Sequence, residues 1–182
     1  SDPTAIDSSD TASMVEAGDS SGSTITDTEP PVPVELCVNE FMPDNQAALV
    51  LDDDTTPDCV ELHNPGETDV HLAGWSLTDD SEEQDKHAIH SSLWLEAGGF
   101  LVFYADDATD LGPEHLSFRL GSEGGTVGLF APDGRGQLVR HGAVDADFSV
   151  HRVPDCCTGE DCLGFDFRGT PGTTNDPPVP VE

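Results

Sequence analysis

Short apolar-rich segments, each closed off by Pro, Gly, Asn or Asp, most limit the folds open to this chain. From Val34 onward VELCVNEFM, CVELHN, DVHLAGWSLTD, FLVFYAD, LSFRL, TVGLFAPDG, QLVRHGAV and FSVHRVP follow one another with this punctuation. No stretch supports a long amphipathic helix. About eight strands at such spacing predict an all-β fold, an antiparallel β-sandwich or barrel. FLVFYA is apolar on both faces, which predicts a central strand, and APDGRGQ predicts a hairpin turn between GLF and LVR. Asn64-Pro65-Gly66 reads as a turn, because Pro presets its own dihedral and Gly tolerates positive φ. Leu72, Trp75 and Leu77 are expected in the core, and Trp94 beside Leu95 is read as packing rather than ligand stacking.

Four stretches follow from composition. Residues 1–29 are rich in Ser, Asp and Thr, hold no aromatic residue and no base, and predict a disordered acidic stalk. Residues 30–35, PPVPVE, read as a Pro-rich linker, residues 36–175 as the folded domain, and residues 176–182 as a second linker that repeats PPVPVE at 177–182. The repeated hexapeptide is read as a connector, which makes the chain one unit of a tandem array or a fragment of a longer protein. The alternative is an edge strand that drives self-association, but three prolines per copy remove ladder donors and favour the connector.

Charge narrows the partners. The chain holds 37 Asp and Glu against 6 Lys and Arg, and 7 of the acids lie in residues 1–30, so 30 acids face 6 bases in the remainder. Such a surface repels phosphate backbones, so no nucleic acid is expected as a partner. The longest apolar run, GGFLVFYA, falls well short of the roughly 20 residues that a bilayer requires, so no membrane insertion is expected. Five cysteines, Cys37, Cys59, Cys156, Cys157 and Cys162, suit an oxidising compartment and an extracellular or cell-surface location, with no leader in this chain. They are read as disulfide candidates with one thiol over. Strand alternation puts Cys37 and Cys59 on the same face and suggests a bridge between them; Cys156 or Cys157 is expected to close a local bridge to Cys162.

Catalytic templates are absent: there is no GxSxG, Walker motif, HExxH or GxGxxG after a strand, and no catalytic residue or cofactor is assigned. Glu40 and Glu61 sit at similar places in two strands, where close carboxylates would suit an acid and base pair or, more simply, hold strand-end backbone amides. Two acidic runs are candidates for calcium, which takes six to eight oxygens: Asp52, Asp53, Asp54 and Asp58 in one, and Asp79, Asp80, Glu82, Glu83 and Asp85 in the other. Neither has the spacing of an EF-hand loop, and solvated acidic loops are the plainer reading. A His87 and His90 pair, and a zinc site from His151, Cys156, Cys157 and Cys162, are weaker metal readings.

VNEFMPDN, CVELHNPGETDVHLAGWSLTDD, KHAI, LEAGGFLVFYADDAT, GPEHLSFRLGSEGGTVGLFAPDGR, RVPD and TPGTTN, in that order over residues 36–175, closely resemble the lamin tail domain of secreted bacterial proteins. The resemblance implies an immunoglobulin-like β-sandwich without catalysis, carried in extracellular and often multidomain proteins. Cys59 and the CCTGEDC insertion depart from the family's pattern and suggest a disulfide-reinforced subgroup. The expectation is a non-enzymatic structural or adhesion module, with a calcium-dependent module binding protein or polysaccharide, or an accessory domain of a secreted hydrolase, as alternatives.

Overall fold

The computed structural model describes residues 36–175. The stalk expected at 1–29 and both copies of PPVPVE, at 30–35 and 177–182, lie outside the described residues. Within them the sequence punctuation becomes a series of antiparallel strands: β1 (Cys37–Met42), β2 (Asp58–His63), β3 (Val70–His71), β4 (Ser76–Thr78), β5 (His87–Ala88), β6 (Trp94–Leu95), β7 (Phe100–Ala105), β8 (Gly125–Phe130), β9 (Gly136–His141), β10 (Phe148–Arg152) and β11 (Leu163–Phe167). One sheet runs β11-β10-β1-β2-β7, the other β5-β4-β8-β9, and β3 pairs with β6 in a small ribbon. The fold is all-β and immunoglobulin-like, with no α-helix among the described residues.

The core lies between the sheets. Val38 and Phe41 of β1 and Val60 and Leu62 of β2 are each at most 1% exposed, and they join one cluster with Leu77 of β4, Val127 and Leu129 of β8 and Val139 of β9. Burial contributes roughly 1.5–3 kcal/mol for each such side chain. Leu72 and Leu77 are fully buried as expected, and Trp75 packs against the cluster while half-buried. The hairpin forms where predicted: Ala131 N–H donates to Arg135 O at 2.7 Å, and Gly134 turns it with φ 82°.

Two placements differ from expectation. FLVFYA, as β7, is not central but ends the five-stranded sheet. Its free edge is capped by a segment from farther along the chain: Tyr104 N–H donates to Glu114 O at 2.9 Å and Leu116 N–H to Tyr104 O at 2.8 Å. LSFRL is therefore no regular strand; it is a rib that bridges Asp106 to Arg119 and buries Leu116 and Phe118 at the sheet margin. Trp94 does not pack inside. It is 57% exposed on the ribbon and stacked on His71 with ring centroids 4.4 Å apart, because its neighbour Leu95 takes the inward position.

One irregularity positions the site. Val38 pairs with Leu62 and Glu40 with Glu61, so the ladder slips and Asn39 is an extra residue in β1. With Val38 and Phe41 both in the core, the bulge turns Asn39 and Glu40 together to the outer face, opposite Glu61.

Candidate functional site

The outer face of the five-stranded sheet ought to be wet, yet Cys37, Asn39, Glu40, Cys59, Glu61 and Ser149 are all buried. Their cover is the chain's own return. After β11, Arg168 (φ 74°) and Gly169 (φ 56°) take left-handed conformations and send residues 170–175 back across the face. Thr170 N–H donates to both carboxylate oxygens of Glu40 at 3.0 Å, and Gly172 N–H donates to Glu61 Oε2. Asn39 Nδ2 donates to Glu61 Oε1 at 3.0 Å and to Asp155 Oδ1 at 2.9 Å, while its Oδ1 accepts from Cys156 N–H at 3.0 Å. Asn175 closes the clasp, its N–H donating to Asp155 Oδ1 at 3.0 Å and its Nδ2 to Asn39 O at 3.3 Å.

Charge in this clasp is constrained. Burial is the main force raising the Glu61 carboxyl to about 8; the hydrogen bonds from Asn39 and Gly172 oppose it, and the nearby Glu40 and Asp155 add to it. Burial also raises Glu40, against the pull of Ser149, Thr170 and His151. Asp155 goes the other way: burial pushes it up, but hydrogen bonds from Thr174, Asn39 and Asn175 outweigh burial and lower it. The two glutamates do lie opposite each other, as the sequence suggested, but they are not at a surface. Their oxygens receive amides of residues 170–172, so the pair works as a structural latch.

The cysteines fall into a pattern the sequence did not fix. Cys37 bonds Cys156 across a separation of 119 residues, and Cys157 bonds Cys162. The expected Cys37–Cys59 bridge is not made. Both residues share the outer face, but the antiparallel register sets Cys37 opposite His63 and Cys59 opposite Met42, at opposite ends of the β1–β2 pair. Cys59 is the free thiol, buried, and its ionisation is strongly suppressed by that burial and by the charges of Glu40 and Glu61. With Cys156, Cys157 and Cys162 in disulfides, the zinc reading with His151 has no thiolates to use.

The acidic runs are not gathered. Among the described residues no group of three or more His, Cys, Asp or Glu is placed to hold a metal ion. The carboxylates serve their own loops instead: Asp53 accepts from Thr55 N–H at 3.1 Å, Asp58 from Asn45 N–H at 3.1 Å, and Asp80 from Glu82 N–H at 2.9 Å. Asp79 pairs with Lys86 at 2.6 Å. His87 contacts Ser117 and His90 contacts Ser92, so the two rings have separate partners.

Sequence reasoning missed the opposite feature, a basic cleft of about 610 Å³ whose walls include Leu36, Trp75, Arg135, Gln137, Arg152 and the Cys37–Cys156 disulfide. Arg152 Nε donates to Val38 O at 2.9 Å, Nη1 to Cys157 O and Nη2 to Gln137 Oε1 at 3.4 Å. No carboxylate among the described residues forms an ion pair with it. The only signal for it was an arginine at the end of an otherwise alternating strand, FSVHR.

A model of one family, the lamin tail domain, matches residues 29–144. The chain belongs to the lamin tail domain family. No curated protein and no solved structure matches it. Lamin tail domains are non-catalytic immunoglobulin-like modules, in keeping with a latch rather than an acid and base pair. In this lamin tail domain the matched residues carry β1 to β9, whereas β10, β11 and the clasp segment fall beyond residue 144.

Proposed function

We propose that this lamin tail domain is an extracellular, non-catalytic structural or adhesion module. The observation that carries the reading is the clasp: the carboxylates best placed for chemistry are covered by residues 170–175, and a disulfide ties to β1 Cys156, the neighbour of the Asp155 that holds Asn175. Such a latch suits a part that must hold its shape outside the cell. Cell fractionation and surface protease accessibility of the tagged protein, with intact mass before and after reduction, test it. The expected result is surface-exposed protein in which four cysteines alkylate only after reduction and Cys59 only after unfolding; five free thiols in natively purified material would overturn the assignment.

Adhesion through polysaccharide is the form favoured by Trp94. Its exposed ring, braced on His71, offers a flat apolar face of the kind that stacks on sugar rings. Saturable quenching of Trp94 fluorescence by surface polysaccharide from the same cells, lost in Trp94→Ala, is expected. Retention of full binding in that variant would remove Trp94 from the reading.

A further inference from the structure

The cleft beside Leu36 is out of keeping with the rest of the molecule. A chain with 37 acids and 6 Lys and Arg places two of those bases, Arg135 and Arg152, in one cavity whose lining, among the described residues, includes no Asp or Glu. Arg152 is fixed by three acceptors, all of them neutral, and keeps N–H groups to spare. Among the described residues Arg135 forms an ion pair with Asp133, and both side chains are more than half exposed. The remaining wall is apolar, with Leu36, Trp75 and Leu129 prominent. A groove of this kind suits an extended proline-rich segment bearing a carboxylate: prolines and valines against the indole and leucines, and the carboxylate toward the guanidinium groups.

The chain itself contains such a segment. PPVPVE at 177–182 has three prolines, two valines and a glutamate, and its missing N–H groups make it a poor partner for a sheet edge but not for an aromatic-lined groove. Its tether starts close by. Asn175 is hydrogen-bonded to Asp155 and Asn39, while Cys156, next to Asp155, and Cys37, two residues before Asn39, are in the cleft wall. The seven residues after Asn175 span at most roughly 25 Å when extended, and so short a tether gives the segment a high effective concentration at the cleft. We propose that the Leu36–Trp75–Arg135–Arg152 cleft is a docking site for residues 177–182 of the same chain.

Trp75 reports on the cleft in the full chain carrying Trp94→Phe, where it is the sole tryptophan. Replacing residues 177–182 by a Gly-Ser stretch of equal length is expected to raise collisional quenching of Trp75 severalfold. An added acetylated PPVPVE peptide is expected to restore the protection saturably. Exchanging the peptide's Glu for Gln, or introducing Arg135→Ala, is expected to weaken that binding about fivefold, the scale of one partly exposed ion pair. Arg135 is exposed and outside the core, so its variant keeps the fold. Unchanged Trp75 quenching after the replacement would overturn the proposal, as would a peptide with Lys in place of Glu binding equally well. Protection in the intact chain that depends on protein concentration would assign the occupant to a second copy and overturn docking within one chain.

Discussion

Gly169 is the more confined of the two glycines at the clasp. A Cβ built there would lie 2.0 Å from Glu40 Oε1 and 2.9 Å from the Ser149 Cβ, and its φ of 56° is left-handed. Gly169→Ala thus combines backbone strain with a clash against a buried carboxylate and is expected to cost about 2–4 kcal/mol, measurable by denaturant titration. Glu61 sets a pH dependence. Its carboxyl is raised from an ordinary 4.5 to about 8, so the folded state holds the proton more tightly than the unfolded state. The corresponding stability is complete below about pH 4.5 and is lost as pH rises through about 8, on the order of 5 kcal/mol in all. Melting temperature followed from pH 5 to pH 9 is expected to fall (roughly the window between the two values), and Glu61→Gln, which has no proton to lose, is expected to flatten that slope. An equal slope in the variant would place the titration elsewhere.

At the scale of elements, the strands were legible because turn chemistry is local. APDGRGQ makes its hairpin from its own residues, and Asn64 organises the turn at Pro65 by accepting from Gly66 N–H at 3.0 Å while its amide reaches Thr68, Leu95 and Glu96 carbonyls. Gly66 itself is not at positive φ, so the side chain of Asn64 does there what the glycine was expected to do. The edge position of β7 was not legible, since its cover comes from residues about ten positions later with no strand pattern of their own. The Cys37–Cys156 pairing depends on the return after β10, which no period in the sequence encodes. Asn39 did leave a trace: two polar residues between Val38 and Phe41 break strict alternation, as a bulge does. The two disulfides should differ in weight. Chain entropy assigns about 5 kcal/mol to the Cys37–Cys156 loop and about 2 kcal/mol to the Cys157–Cys162 loop. Cys37→Ser is accordingly expected to lower the denaturation midpoint more than Cys162→Ser, and the reverse order would mean that the short bridge, not the long one, secures the clasp.

At the scale of the molecule, a net charge of −31 opposes compaction, and the cleft gathers two of the six bases, Arg135 and Arg152. Two kinds of relief are distinguishable. Diffuse screening acts on all like charges and depends on ionic strength alone, with a Debye length of about 10 Å at 0.1 M. A calcium site would act at one place, saturate, and discriminate against Mg²⁺. The acidic loops favour the first. Asp147 accepts from Gln46, Ala47 and Ala48 N–H, Asp53 and Asp80 close turns on their own backbone, and Asp79 is paired with Lys86, so these carboxylates are committed to separate local partners. Stability is therefore expected to rise gradually with NaCl, and CaCl₂ and MgCl₂ at equal ionic strength are expected to shift the melting temperature alike. A saturable gain with Ca²⁺ at micromolar to millimolar concentration, unmatched by Mg²⁺, would show that Asp52 to Asp58 or Asp79 to Asp85 rearrange into an ion site on binding and would bring back the calcium-dependent binding module.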